Sequence, residues 1–313
     1  MTVPGLPLGP GGEFDRIRAI WSRLGGRAEA LGDDAALVTV GGERLALSCD
    51  ASLEGRHFRL DWLEPEEIGW RAAAAALSDL AAVAAEPAGV LATVGVPAER
   101  AGDFLVRLMD GVADAAAAAG ARVWGGDLIR SDLVLVDVFV IGRGGGVERR
   151  GARPGQGLWV TGRLGGPHAA VAAWRAGTTP PPEARTRFAR PVPRIGEARW
   201  LREHGAGAMI DVSDGLVGDA GHLAAASGVA LRISADLVPR HPAARGWEDA
   251  VAGGEEYELL VALPDAFGSA PAAEFARRFD LPLTRIGAVE PGAGVILERQ
   301  GRPVDPPPGF SHF

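Results

Sequence analysis

Aspartates in this chain recur where small residues crowd the backbone. Five segments carry them: Gly32-Asp33-Asp34-Ala35, Ser48-Cys49-Asp50, Ser78-Asp79-Leu80, Gly125-Gly126-Asp127 and Asp211-Val212-Ser213-Asp214-Gly215. Magnesium takes hard oxygen ligands, usually one or two carboxylates per ion with water and phosphate oxygens around them. An aspartate that ends an apolar strand is held rigidly and faces the crevice where such a site forms. Each segment also has a purely local reading. Asp33-Asp34 suits a turn, Asp127 an Asx-turn, and Ser213 or Asp214 the N-cap of a following helix. Five such segments in one chain together favour a site for several metal ions and a polyphosphate.

The stretch Ala208 to Leu216 says most by itself. A strand, Met209-Ile210-Asp211-Val212, runs into Ser213-Asp214-Gly215 and then a helix whose first amides suit a phosphate. Arg143, Arg149, Arg150 and Arg153 lie in a glycine-rich stretch, either as a solvated basic linker or as bidentate phosphate grips. Glu255 and Glu256 enter a strand after two glycines and read either as surface acids or as receivers of a cationic substrate. His57 follows Asp50 within Leu53-Glu54-Gly55-Arg56-His57-Phe58, and its flanks favour a functional role. Cys49, at a strand end, is expected to be a small buried residue rather than a nucleophile.

The elements that must hold these side chains follow from periodicity. Phe14, Ile17, Trp21 and Leu24 mark a helix. Residues 35–40 and 44–49 read as strands joined by Gly41-Gly42, and an alanine-rich helix spans 65–85. Strands over 90–96, 122–125 and 133–141 and a helix over 101–119 complete an N-terminal part. Residues 143–155 form the expected linker, giving domains at 1–145 and 146–313. The second part opens with a strand at 158–161 and a helix after Pro167. The proline-rich stretch 178–193 is expected to cross the surface irregularly. Strands at 208–212, 229–233, 257–263, 284–289 and 295–297, with helices from 216 and over 271–279, complete it.

Composition narrows the chemistry. The 313 residues include 32 lysines plus arginines, and every one is arginine, so lysine-dependent phosphate loops, protein kinases and Schiff-base enzymes are excluded. A formal net charge of −8 argues against a nucleic-acid partner. A single cysteine permits neither an intrachain disulfide nor a multi-cysteine zinc site. No apolar run is long enough to span a bilayer and no signal peptide is readable, so a cytoplasmic protein without membrane contact is expected.

The ordered motifs resemble the thiamine-monophosphate kinase family over nearly the whole chain. They are Gly-Asp-Asp-Ala-Ala from 32, Ser-x-Asp-x-x-x-Glu-Gly-x-His-Phe from 48, Leu-Ser-Asp-Leu-Ala-Ala from 77 and Gly-Gly-Asp from 125. They continue with Arg-x-Gly-Ala-x-Pro-Gly from 149, Asp-x-Ser-Asp-Gly-Leu from 211, Gly-Gly-Glu-x-Tyr-Glu-Leu from 253 and a terminal Gly-Phe-Ser-His-Phe. The resemblance implies an α+β fold, with an N-terminal dimerisation domain of the aminoimidazole ribonucleotide synthetase type and an α/β C-terminal domain. It implies direct in-line transfer from ATP to thiamine monophosphate, several magnesium ions and a homodimer. It places Asp33, Ser48, Cys49, Asp50, Asp79, Asp127, Asp211 and Asp214 around the metals, with Asp50, Asp127 and Asp214 catalytic. Gly126, Asp127, Arg149 and Ser213 would bind ATP, and His57 and Glu255 the thiamine phosphate. The sequence departs from the family pattern at Cys49 and Leu128 (threonines there), at Gln156 and Glu256 (aspartates) and at Pro307, where an aromatic is usual. The same fold acting on another small phosphorylated metabolite, or a regulatory nucleotide-binding relative, are the alternatives.

Overall fold

The computed structural model describes residues 9, 12–28 and 30–307. The terminal motif at 309–313, with Phe310, lies outside the described residues. After helix α1 (Gly12–Leu24), strands β1 (Ala36–Val40) and β2 (Glu43–Leu53) form a hairpin. Gly41 and Gly42 turn it with φ of 59° and 84°, values that a side chain would strain against. Helix α2 (Pro65–Ala82) starts on a reciprocal capping box between Glu64 and Glu67, with proline in its first turn. It ends three residues earlier than its alanines predict, because Ala85 already pairs with Gly144. Strand β3 (Ala85–Val96), helix α3 (Asp103–Ala118), β4 (Arg122–Arg130) and β5 (Leu135–Gly144) follow, giving a mixed sheet ordered β1-β2-β5-β3-β4. Arg143 therefore lies in a strand rather than in the linker.

Helices α2 and α3 cover one face of this sheet, packing on Val90, Val94 and the alternating valines 134 to 140. Their backbones touch. A Cβ added to Gly69 would lie 1.9 Å from the Leu108 carbonyl oxygen, and one on Gly111 1.9 Å from that of Glu66.

The rest of the chain builds a seven-stranded sheet. In chain order it comprises β6 (Gly157–Thr161), α4 (Gly166–Arg175), α5 (Pro182–Ala189), α6 (Ile195–Glu203), β7 (Ala208–Asp211), α7 (Leu216–Ser227), β8 (Ala230–Ser234) and α8 (Trp247–Ala252). Then come β9 (Leu259–Leu263), α9 (Ser269–Phe279), β10 (Leu283–Glu290), β11 (Gly294–Arg299) and β12 (Arg302–Pro303), with the strand order β12-β11-β8-β10-β6-β9-β7. The stretch 178–193 corrects its expected irregularity. Pro182 occupies the first turn of α5, where a missing N–H costs nothing, and Ala184, Phe188 and Ala189 of that helix are buried. Helices α6 and α8, too short for a clear periodicity, are additions to the expected order.

Helix α2 is buried almost all round and touches both halves. Phe188 and Ala184 join the core of the first half, while Ala81 and Ala84 join a core of the second. Polar ties run between the halves as well. Trp70 Nε1 donates to the Pro191 carbonyl at 2.8 Å, and Arg185 grips Glu67 with two bonds of 2.7 Å.

Candidate active site

A helix, a strand end and a turn bring the acids together. Oxygens of Asp34, Asp79 and Asp211 all lie within 4.8 Å of one another. Asp79 comes from the last turns of α2, Asp211 from the end of β7, and Asp34 from the turn before β1. Burial, and then the charges of Asp211, Asp50 and Asp34, push the Asp79 carboxyl well above the usual carboxylate range. Burial first and Asp34 second push Asp211 up to about 7. Two serines line the group: Ser48 Oγ donates to Asp79 at 2.6 Å and Ser78 Oγ to Asp211 at 2.6 Å. Buried carboxylates this close repel unless a cation or protons sit among them. An all-oxygen set of this kind fits a hard divalent ion.

The sequence reading assigned Asp33 to the metals, but in this structure its neighbour Asp34 stands in the cluster. Asp33 instead accepts N–H groups from Asp34 at 2.9 Å and Arg149 at 3.1 Å, and burial followed by the Asp34 charge raises it to about 7. Asp50 on β2 acts on Asp79 and Asp211 through its charge. The half-buried Arg149 side chain bonds Asp34 twice, at 2.8 and 3.1 Å. Arg150 pairs with Glu148. Cys49 is exposed within β2, against the expectation of burial, because successive strand residues face opposite ways and Asp50 takes the inner side.

The loop amides just before α7, those of residues 213–215, are already used. One oxygen of the buried Asp219 accepts the N–H groups of Ser213 at 3.0 Å, Asp214 at 3.1 Å and Gly215 at 3.1 Å. A phosphate cannot take those donors while the carboxylate holds them. The carbonyl side of the same loop is held too, since Ser213 O accepts Glu255 N–H at 2.6 Å and Val212 O accepts Tyr257 N–H at 2.8 Å. Glu255 and Tyr257 adopt left-handed φ of 67° and 51°, rare for residues with side chains and common at functional sites.

That strained segment borders a cavity of about 420 Å³ lined by Arg56, His57, Arg59, Trp62, His168, Arg175, Phe188 and Glu255, among others. His57 Nδ1 accepts the Leu53 N–H at 3.0 Å, which fixes the ring. Three arginines against one glutamate make the lining cationic, suited to a phosphorylated ligand. Beneath it Arg71, buried in α2, pairs with Glu255, donates to the Phe188 carbonyl at 2.7 Å and stacks on the Phe188 ring. Behind Glu255, Arg194 and Arg187 hold the buried Glu258 at 2.9 Å each, with Thr161 Oγ1 at 2.6 Å.

Asp127 and Gly126 are not among the clustered acids. They lie on β4, an edge strand three positions from β2, the strand of Asp50, which is about 14 Å away at ordinary strand spacing. A Cβ on Gly126 would meet the Ala92 carbonyl oxygen at 1.8 Å, so this position requires glycine to pair at all. Arg71 and Asp219 escaped the sequence reading, and Asp34 was named only as part of its segment. Arg71 did leave a signal, as the one cation among the alanines of α2.

Comparison with known proteins settles the family. The profile described as AIR synthase related protein, N-terminal domain, matches residues 32–144, and its C-terminal counterpart matches 153–299. The thiamine-monophosphate kinase of Aquifex aeolicus (strain VF5) is 32% identical over 316 residues, covering 96% of this chain and 98% of that protein. The chain belongs to the thiamine-monophosphate kinase family. Members of this family are phosphotransferases, and the α+β fold in two domain types of the aminoimidazole ribonucleotide synthetase kind agrees with that placement. The corresponding enzyme of Mycobacterium tuberculosis (strain CDC 1551 / Oshkosh) is 38% identical over 73% of each chain. Among solved structures, AaThiL complexed with AMPPCP and TMP superposes with a TM-score of 0.86 at 31% identity, covering 97% of both chains. The hydrogenase maturation protein HypE of E. coli, at 20% identity and a TM-score of 0.70 over 94% of this chain and 96% of that one, shares the fold.

Proposed function

We propose that this protein transfers the terminal phosphoryl group of ATP directly to the phosphate of thiamine monophosphate, giving ADP and thiamine diphosphate. The observation that carries the reading is the adjacency of a buried all-oxygen acid cluster and a cationic cavity, joined through the 212–215 and 253–257 segments, in a chain similar over its full length to such kinases. Asp34, Asp79 and Asp211, with Ser48 and Asp50 beside them, would hold magnesium, and Asp214 lies in the loop that follows Asp211. The ions would supply charge neutralisation for a polyphosphate and a phosphate monoester that otherwise repel. This chain's own groups do the positioning. Arg56, Arg59 and Arg175 attract the acceptor phosphate, and the fixed His57 ring and the Arg71-held Glu255 orient the acceptor. With nothing but phosphate oxygens to place in line, catalysis here is mainly geometry and charge.

A homodimer built on β4 fits the same reading. Trp124 (54% exposed), Leu128 (62%) and Ile129 (45%) form an open apolar edge, which a second copy would cover. Asp127 and Gly126 then lie at the interface.

The test is direct. Purified protein with ATP, magnesium and thiamine monophosphate should yield equal amounts of ADP and thiamine diphosphate. ADP formed only with a different phosphorylated acceptor, or nucleotide binding without turnover, would overturn the assignment.

A further inference from the structure

We infer that Asp219 is a positioning residue that stands in for an anion at the head of α7 and so sets where Asp211 and Asp214 present their carboxylates. The loop between β7 and α7 would by itself leave three backbone N–H groups converging on one point. One Asp219 oxygen satisfies all three, at 3.0 to 3.1 Å, from a side chain that is 2% exposed. Asp219 sits in the first turn of α7, and its own N–H is spent on Gly215 O at 3.0 Å. The side chain thus ties the helix to the loop that precedes it.

The other edge of the loop is closed by the 255–257 segment, whose three N–H groups reach Ser213 O and Val212 O. Gly254 has no room for a side chain there, since a Cβ would lie 2.5 Å from Ser213 O. The loop is therefore clamped on both edges, by Asp219 on the N–H side and by the pocket segment on the C=O side. Asp211 ends the strand on one side of the clamp and Asp214 lies inside it. Glu255 belongs to the second jaw. Removing Asp219 frees three donors in a buried place, and the loop must turn to find partners for them. That moves Asp214 relative to Asp79 and Asp34. A supporting carboxylate of this kind acts through the ligands it orients, where such losses amount to roughly 10- to 100-fold in metal affinity or activity.

The experiment compares the full-length wild type with Asp219→Asn and Asp219→Ala. Hydrogen exchange at residues 213–215 is read without nucleotide or acceptor, magnesium binding is read by calorimetry, and thermal unfolding is followed in parallel. Asn keeps an oxygen for the amides, so it should hold its fold and lose part of the protection; Ala should lose nearly all. The expected result is exchange at 213–215 at least ~10-fold faster in the Ala variant, with magnesium affinity down by roughly 10- to 100-fold and partial recovery in Asn. In kinetics, which alone rest on the proposed kinase reading, the magnesium requirement and kcat shift while the acceptor KM stays nearly constant. Unchanged exchange and unchanged magnesium binding in a folded Asn variant, together with lower thermal stability alone, would overturn the inference and leave Asp219 an ordinary helix cap. Because exchange and metal binding are read without substrate, that outcome is distinct from failure of the kinase reading.

Discussion

Replacing Glu256 by glutamine should make the protein more stable at neutral pH. The Glu256 side chain is fully buried behind the pocket segment, where one oxygen accepts the Gly165 N–H and the other has no hydrogen-bond partner among the described residues. Arg187 approaches it only to 3.9 Å, and that guanidinium is committed to Glu258 at 2.9 Å. Burial pushes the Glu256 carboxyl from 4.5 up to about 8. A folded pKa above the unfolded one means that the unfolded chain releases a proton, between those two pH values, that the folded chain retains. Stability therefore falls as pH rises, by about 1.4 kcal/mol per unit. From 4.5 to pH 7 the accumulated loss is about 3 kcal/mol. Glutamine keeps an oxygen for Gly165, has nothing to ionise and matches the volume, so it removes the penalty. Urea unfolding of wild type and Glu256→Gln from pH 4 to 9 measures this. The two should coincide near pH 4, diverge steadily above it in favour of glutamine, and run parallel above about pH 8. A glutamine variant that is less stable at pH 7, or a difference that does not vary with pH, refutes the reasoning.

Two further outcomes follow from the site and the open edge. Asp50→Ala and Asp214→Ala should each lower the rate of ADP formation by roughly 10²- to 10³-fold or more, with circular dichroism unchanged. Because Asp50 adds to the repulsion on Asp79, its removal should not weaken the unliganded fold, and near-normal rates in both variants would remove these residues from the metal site. Leu128→Asp puts a charge on the exposed face of β4 and should convert a dimer to a monomer in sedimentation; an unchanged mass would place the contact elsewhere.

Much of this architecture was written in local pattern, and what was not had identifiable causes. The alanine-rich run of α2, the glycine turn at 41–42 and the continuous apolar runs of β6 and β9 mark their elements without help from the rest of the chain. Helix α5 did not announce itself, because prolines that look like breakers serve as its start and its stability comes from Phe188 packing across the domain boundary. At the site, the aspartates could be found by their small neighbours, but spacing does not say which of Asp33 and Asp34 turns inward. That depends on the turn before β1 and on Arg149 claiming Asp34 from elsewhere in the chain. The occupied amides of the loop before α7 were also invisible, since nothing in the string Leu-Val-Gly-Asp shows that its acid folds back on residues 213–215.

The near-total burial of α2 has one more consequence. This helix carries Arg71 under the acceptor cavity and Ser78 and Asp79 in the acid cluster, eight residues and about 12 Å apart along its axis. Residues 72–76 between them are all alanines, with no side-chain torsions to adjust, and Gly69 locks the rod against Leu108. The interval between the cavity end and the acid-cluster end is thus a property of the backbone, and no repacking of side chains can lengthen it. Such a helix works as a gauge. On the proposed reading, a group seated in the cavity and one held at the acid cluster are kept this far apart, and any change in the length between them must be absorbed by the loops at either end of the gauge.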